Sequence, residues 1–292
     1  MNLEFAVLAP FALLLVAVLG LWIHRTVWMT ALFLSVVAAY VTGALHGLAA
    51  PWIALLGGLA WLYARARARQ GVGVSVIPRL CVGLLFFLLA VALGLALLPG
   101  FPRTVIVEGV VLSPQALPYT LALGFPKVVG GIFILGLMHE QRVRSWRELL
   151  AVLRRAAPIF LVTAVVVMLL TLALGYVKFD PKWSSLFFLW ATANLLFTCL
   201  SEEAFFRGFL QRELSEIGTN RRRMAIIALG IAAVMFGLVH LAGGWKYAIA
   251  ATVAGAGYGL AYLRTQRIEA SMAVHFALNA THFLLFTYPA LA

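Results

Sequence analysis

The chain of 292 residues contains few charged and very few acidic side chains. Asp and Glu together number 10, charged residues make up 11% of the chain, and hydrophobic residues make up 64%. Soluble domains average about 25% charged and about 45–50% apolar residues. A soluble fold of this length leaves roughly a quarter of its unfolded surface in contact with water. The scarcity of charge therefore excludes a soluble globular protein and predicts a membrane protein.

Cysteine is also scarce, and the charge that is present has mostly one sign. The cysteines, Cys81 and Cys199, both lie in apolar stretches, which excludes a disulfide framework. The net charge of +12 is of the size seen in nucleic-acid-binding proteins. The arginines, however, lie between apolar segments, so we attribute them to membrane topology and predict no nucleic-acid partner.

Long apolar segments account for most of the chain. A membrane-spanning helix needs about 20 apolar residues, and we predict an all-α fold, a polytopic transmembrane helical bundle of about ten spans (eight to ten). The predicted spans are about 4–23, 28–46, 49–63, 80–98, 118–138, 157–176, 185–209, 224–242, 246–263 and 269–288. The third is short, and Pro126 and Lys127 interrupt the fifth, so either could be re-entrant. The first is expected to be an uncleaved helix.

Basic residues follow every second predicted span. They are Arg25; Arg65, Arg67 and Arg69; Arg142, Arg144, Arg147, Arg154 and Arg155; Arg212 and Arg221 to Arg223; and Arg264 and Arg267. The positive-inside rule places these loops in the cytoplasm and both termini outside it. Residues 1–155 are predicted to be transmembrane helices without a recognised motif. Residues 156–292 hold a cluster of polar residues and are predicted to be the catalytic transmembrane domain.

Most acidic residues lie in loops or at span ends: Glu4, Glu108, Glu140, Glu148, Asp180, Glu213, Glu216 and Glu269. Glu202 and Glu203 instead lie within an apolar helix. A charge at the bilayer centre costs about 2.5–3.5 kcal/mol on insertion scales. Glu203 and Arg207 are four residues apart and can pair, while Glu202 points about 100° away. The alternative is that this Glu-Glu-Arg group only snorkels at the cytoplasmic boundary.

Two further helices carry histidines. His240 ends an apolar run, and His275 and Asn279 are four residues apart, so both face one side of the last span. Each alone is typical of packing or of a polar contact between helices. Together with the two glutamates they predict one polar site on three neighbouring helices. The G-x-x-x-G pattern of Gly255 and Gly259 favours close helix packing there.

These side chains suit the hydrolysis of an amide bond. A shielded carboxylate can accept a proton from water, so we assign Glu202 as general base, with His240 holding the water. Hydrolysis also needs donors for the developing oxyanion, and His275 and Asn279 are the candidates. Glu203 and Arg207 would hold the helix and tune Glu202.

The same residues resemble the motifs of a known family, the CPBP intramembrane proteases, which include the CAAX prenyl endopeptidases and abortive-infection-like bacterial proteins. The family's E-E-x-x-x-R, F-x-x-x-H and H-x-x-x-N motifs are matched at Glu202–Arg207, Phe236–His240 and His275–Asn279. The resemblance covers about residues 185–288. It implies an α-helical intramembrane endopeptidase that cleaves near the C-terminus, or within a membrane-associated segment, of a protein substrate. We expect a bacterial plasma (inner) membrane location.

Members of this family are described both as metalloproteases and as glutamate proteases. If this chain is a metalloenzyme, Glu202, His240 and His275 are the zinc ligands, with an open fourth position. The sequence has no H-E-x-x-H pattern, and we favour the glutamate type without a cofactor.

Two other classes of function fit parts of the pattern. One is a non-catalytic membrane scaffold or immunity-type protein that keeps the motifs for folding. The other is a proton-coupled transporter, but transporters have two similar halves, and the polar groups here lie in one half only. A narrower enzymatic alternative is a sorting-type protease that trims the C-terminal anchors of exported proteins. The sequence carries no signal for oligomeric state.

Overall fold

The computed structural model describes residues 5–69, 76–139 and 141–292, and most of these residues are helical. Glu4 and Glu140, predicted at a span end and in a loop, lie outside the described residues. The chain divides into two compact units. The first consists of Met1–Thr104, Ala122–Glu140 and Leu196–Glu202, and the second of Val105–Leu121, Gln141–Leu195 and Glu203–Ala292.

Among the described residues, the first unit contains a series of helices. They are α1 (Phe5–Gly20), α2 (Arg25–Val41), α3 (Ala49–Ala68), α4 (Ile77–Gly94) and α5 (Phe125–Phe133), which continues as the π-helical segment Ile134–Met138. The α1 and α2 helices pack together, and the buried Ser35 hydroxyl donates a hydrogen bond to the Pro10 carbonyl, 2.7 Å away. The third span was predicted to end at about residue 63, but the observed helix α3 extends through Ala68.

A pair of strands precedes α5 and was not predicted. The strands β1 (Thr104–Val110) and β2 (Tyr119–Leu123) form a two-stranded sheet. The predicted fifth span, 118–138, was therefore wrong at its start. Pro126 lies in the first turn of α5, where a proline is tolerated, but it would break a helix that ran through it from residue 118.

The second unit contains several long helices. They are α6 (Trp146–Ala173), α10 (Arg221–Val239), α11 (Trp245–Thr265) and α12 (Ile268–Leu285). Every residue from 187 to 215 is helical, including Leu196–Glu202, which belong to the first unit. The segments are α7 (Phe187–Ala193), the π-helical segment Asn194–Cys199, α8 (Leu200–Glu203), the π-helical segment Ala204–Gln211 and α9 (Arg212–Ser215). The α11 helix packs against α6, α10 and α12.

Both ends of α12 are attached to neighbouring loops. At its start, the Glu269 carboxylate accepts a hydrogen bond from the backbone of Val143, and Arg267 pairs with Glu148 at 2.8 Å. After its end, residues 286–292 run between two loops of the same unit, where Thr287 donates its backbone N–H to the Lys178 carbonyl at 2.9 Å. These contacts fix the position of the helix along its own axis.

The apolar surface of the chain is that of a membrane protein. Three described helices, α4, α6 and α10, are long and apolar enough to cross a membrane, and Leu8–Gly20, Arg25–Val41 and Phe125–Met138 are shorter apolar helices. Apolar side chains of α6 such as Val162 and Leu169 are more than half exposed, as expected where lipid is the solvent. A bundle of about ten spans is not confirmed.

The contact between α10 and α11 depends on a glycine. A Cβ atom at Gly237 would lie 1.9 Å from the Thr252 hydroxyl and 2.6 Å from the Ala248 carbonyl. We expect Gly237→Ala to separate these helices and to lower the free energy of unfolding by about 1–3 kcal/mol, measured in detergent. Gly230→Ala in the same helix is the control, since a Cβ there meets no described atom within 4 Å. Equal stability of the two variants would contradict the packing argument.

Candidate active site

A buried ion pair lies at the centre of the predicted site. Glu203 ends α8, and Arg207 lies one turn later in a π-helical segment; neither side chain is exposed. Nη1 of Arg207 donates to Oε1 of Glu203 at 3.0 Å, which confirms the predicted pairing. Nη2 of the same guanidinium donates to the Gly255 carbonyl on α11 at 2.7 Å. The two bonds compensate for part of the cost of burying both charges.

The imidazole of His275 joins this pair. Its Nδ1 lies 2.8 Å from Oε1 of Glu203, the oxygen that Arg207 also contacts. The ring is buried and stacks on Tyr258, with the centroids 4.3 Å apart. Because a carboxylate can only accept, Nδ1 donates when Glu203 is ionised. The glutamate therefore fixes both the orientation of the ring and the position of one of its protons.

The second carboxylate oxygen of Glu203 has a different environment. Oε2 is buried and has no hydrogen-bond partner among the described residues. A buried oxygen in this condition costs free energy unless a donor from water or from a bound molecule satisfies it. Oε2 is therefore the atom at which this network can receive a further hydrogen bond.

Phe236 contacts both histidines of the predicted site. Its ring centroid lies 4.6 Å from that of His240 and 5.7 Å from that of His275. The guanidinium of Arg207 lies 4.9 Å from the same ring, within range of a cation–π contact. Phe236 is thus the aromatic ring that contacts each of these three side chains.

His240 ends α10 as its C-cap and is half-buried. Its Nδ1 lies 2.6 Å from the carbonyl oxygen of Phe236. This bond orients the imidazole and uses Nδ1, so any contact of His240 with a substrate or a water molecule must involve Nε2.

Asn279 has a partner that the sequence did not indicate. Its Nδ2 donates to Oδ1 of Asn194 at 3.2 Å, and both side chains are half-buried. Asn194 begins the π-helical segment Asn194–Cys199. It lies within the predicted span 185–209, and the sequence analysis did not single it out.

Glu202 belongs to the first unit and is half-buried. It precedes Glu203 in the short helix α8. Its role as general base, with His240 holding the water and His275 as an oxyanion donor, stays a prediction from the sequence.

The two glycines of the G-x-x-x-G pattern both accept hydrogen bonds. Nη2 of Arg207 reaches the Gly255 carbonyl, and Nε2 of Gln211 reaches the Gly259 carbonyl at 3.1 Å. A Cβ atom at Gly259 would lie 2.9 Å from Oε1 of Gln211. The predicted close packing at these glycines is confirmed. The missing side chains leave room for Arg207 and Gln211 to reach the backbone of α11.

The residues of this region do not form a recognisable metal site. Within residues 5–69, 76–139 and 141–292, no group of three or more His, Cys, Asp or Glu side chains is arranged to hold a metal ion. Both histidines direct Nδ1 to protein oxygens. We therefore derive no catalytic step through zinc.

Residues 182–281 match the family model described as Type II CAAX prenyl endopeptidase Rce1-like. The matched range contains all the predicted site residues, Glu202, Glu203, Arg207, His240, His275 and Asn279, and also Asn194. No curated protein and no solved structure matches the chain.

Proposed function

We propose that this membrane protein is a glutamic-type intramembrane endopeptidase, because residues 182–281 match the model of the Rce1-like type II CAAX prenyl endopeptidases. Its substrates are proteins with a membrane-associated C-terminal segment, and it hydrolyses a peptide bond near that end. The observation that carries the proposal is the hydrogen-bonded group formed by Glu203, Arg207 and His275, inside the range that matches the family.

The two adjacent glutamates are proposed to have different roles. Glu203 is completely buried, and its Oε1 contacts both Arg207 and His275. Glu202 is half-buried and is the carboxylate that a water molecule reaches more easily. In the proposed reaction, Glu202 takes a proton from the attacking water and His240 helps to hold that water, while Glu203 and Arg207 position the helix.

His275 and Asn279 are proposed to stabilise the oxyanion that forms when water attacks the carbonyl. They lie one turn apart on α12, so their polar groups face the same side. Since Nδ1 of His275 contacts Glu203, its contribution must come from Nε2. The imidazolium form carries a proton on both nitrogens and can donate to both partners.

The proposed location is the bacterial inner membrane, with the basic loops in the cytoplasm and both termini outside. The basic residues that support this orientation include the exposed Arg221, Arg222 and Arg223 at the start of α10. An active site within the bilayer would receive substrate segments that are themselves held at the membrane, by an apolar stretch or by a lipid group.

The test compares the C-termini of membrane proteins in cells that carry the wild type, Glu202→Gln or Glu108→Gln. Glu108 lies exposed on β1, so the control makes the same chemical change away from the site. We expect a set of trimmed C-termini in the wild type and the control that is absent with Glu202→Gln. Identical profiles at equal protein levels would contradict proteolysis. Loss of activity after chelation, restored by zinc, would contradict the glutamic type.

A further inference from the structure

The helix α6 is longer than the apolar layer that it crosses. Its 28 residues span about 42 Å, whereas the hydrocarbon core of a bilayer is about 30 Å thick. Residues 156–173 carry no charged side chain, and the arginines of the helix, Arg147, Arg154 and Arg155, all precede them. The first part of α6 therefore extends out of the hydrocarbon core and into the layer of lipid headgroups.

One side of α6 carries both exposed apolar side chains and exposed arginines. Leu161, Val165 and Leu169 are between 57% and 61% exposed, as expected of side chains that face lipid. Arg147 and Arg154, which are also exposed, precede Val165 by 18 and 11 residues. At about 100° per residue, both lie within about 20° of Val165 around the helix. We call these five residues the α6 stripe.

The α6 stripe points away from the neighbouring helix α11. A Cβ atom at Gly257 on α11 would lie 2.2 Å from the Thr163 hydroxyl, so Thr163 marks the side of α6 that packs against α11. Thr163 and Val165 are two residues apart, and their side chains therefore point about 160° away from each other. The α6 stripe is thus on the side that faces the surrounding lipid.

The acidic residue beside Arg147 is engaged away from the α6 stripe. Oε1 of Glu148 contacts Nε of Arg267 at 2.8 Å, and Oε2 accepts the backbone N–H of Arg144 at 2.8 Å. Because Glu148 follows Arg147 directly, its side chain also lies about 100° away around the helix. The α6 stripe therefore presents positive charge at one end and apolar surface along the rest, which fits an amphipathic anion.

We propose that the α6 stripe binds one anionic phospholipid of the leaflet at the start of α6. Arg147 and Arg154 both contact the phosphate, and an acyl chain lies along the three apolar side chains. The two arginines are about 10 Å apart along the helix axis, so one phosphate is within reach of both long side chains. Side chains on a helix lean toward its N-terminus, which directs Arg154 out of the hydrocarbon and toward the phosphate.

The bound lipid adds a contact to a part of α6 that also holds α12. The Glu148–Arg267 pair and the hydrogen bond from the Val143 backbone to Glu269 connect the start of α6 with the start of α12. The inference concerns only the contact of this helix with the membrane. It does not depend on the proposed hydrolysis and can fail or stand without it.

Native mass spectrometry of the purified full chain tests the inference. Dioleoylphosphatidylglycerol is the anionic lipid, and dioleoylphosphatidylcholine, whose headgroup has no net charge, is the comparison. The lipids are titrated in neutral detergent and about 0.5 M ammonium acetate, where general attraction between separated surface charges is screened. We expect the wild type to bind the first phosphatidylglycerol about 10-fold more tightly than phosphatidylcholine, since direct contacts with the charged group remain.

Arg147→Gln and Arg154→Gln should each weaken the binding of phosphatidylglycerol by about 10-fold, because each removes charge-assisted hydrogen bonds to the phosphate. Arg155→Gln is the matched control, since it removes the same charge one residue further along. The Arg155 side chain points about 100° away from that of Arg154, and its loss should change the affinity by less than about 2-fold in this salt.

Three results would overturn the inference. The first is equal affinity of the wild type for the two lipids. The second is an unchanged affinity in either Arg147→Gln or Arg154→Gln, or a loss in Arg155→Gln as large as theirs, because attraction would then not depend on the α6 stripe. The third is displacement of the bound lipid by millimolar inorganic phosphate, which would indicate an anion site that makes no use of the apolar side chains.

Discussion

Glu202→Gln is expected to remove peptide hydrolysis while leaving the stability of the protein unchanged. A positioned general base contributes about 10²–10⁴ to a rate, so kcat on a cleaved peptide should fall by that factor. Because Glu202 is half-buried and glutamine has nearly the same shape, its thermal unfolding midpoint should stay within error of the wild type.

The neighbouring variant Glu203→Gln is the matched comparison, since it makes the same change one residue later. It removes the charge that Arg207 and His275 both contact, leaving the arginine buried without its counter-ion. Breaking a buried ion pair from one side costs about 3–5 kcal/mol. We therefore expect a clear fall in the unfolding midpoint of Glu203→Gln. Full activity of Glu202→Gln, or equal stability losses for both variants, would contradict the division of roles.

Arg207→Met is expected to be the most destabilising single change at the site. Methionine fills part of the same volume but leaves the buried Glu203 without its cation and the Gly255 carbonyl without its donor. The free energy of unfolding in mixed detergent micelles should fall by about 3–5 kcal/mol. Loss of the contact with the Phe236 ring adds to the effect in the same direction.

Two further variants show whether charge or geometry matters more at this position. Arg207→Lys keeps the charge but lacks the forked donors that reach Glu203 and the α11 backbone together, so we expect a smaller loss of stability. Arg221→Met, at the exposed start of α10, should leave the unfolding free energy unchanged. Wild-type stability of Arg207→Met would show that the buried pair contributes nothing to folding.

The parts of the fold that the sequence predicted well are those that depend on short-range spacing. The Glu203–Arg207 pair was predicted from a four-residue separation, and the structure contains it. Close packing at Gly255 was predicted because glycine has no side chain. In the structure the Arg207 guanidinium lies against this glycine. The first feature spans one helical turn, and the second depends on one residue that lacks a side chain.

The parts that could not be predicted depend on departures from regular helix geometry. Asn194 was missed because it lies in an apolar stretch, and no residue pattern there indicates that residues 194–199 form a π-helix. The strand Tyr119–Leu123 was assigned to a helix because its apolar character resembles that of a span. Pro126 was the available signal that the helix begins later.

The attachment of α12 at both of its ends has a consequence for cleavage-site selection. His275 lies seven residues after Ile268, the first residue of the helix, which is about 10 Å along its axis. Glu269 and Arg267 hold one end of α12, and residues 286–292 hold the other. His275 therefore keeps its position along the helix axis relative to these attachments. In the proposed hydrolysis, the substrate must therefore bring its reacting bond to the level at which His275 is held.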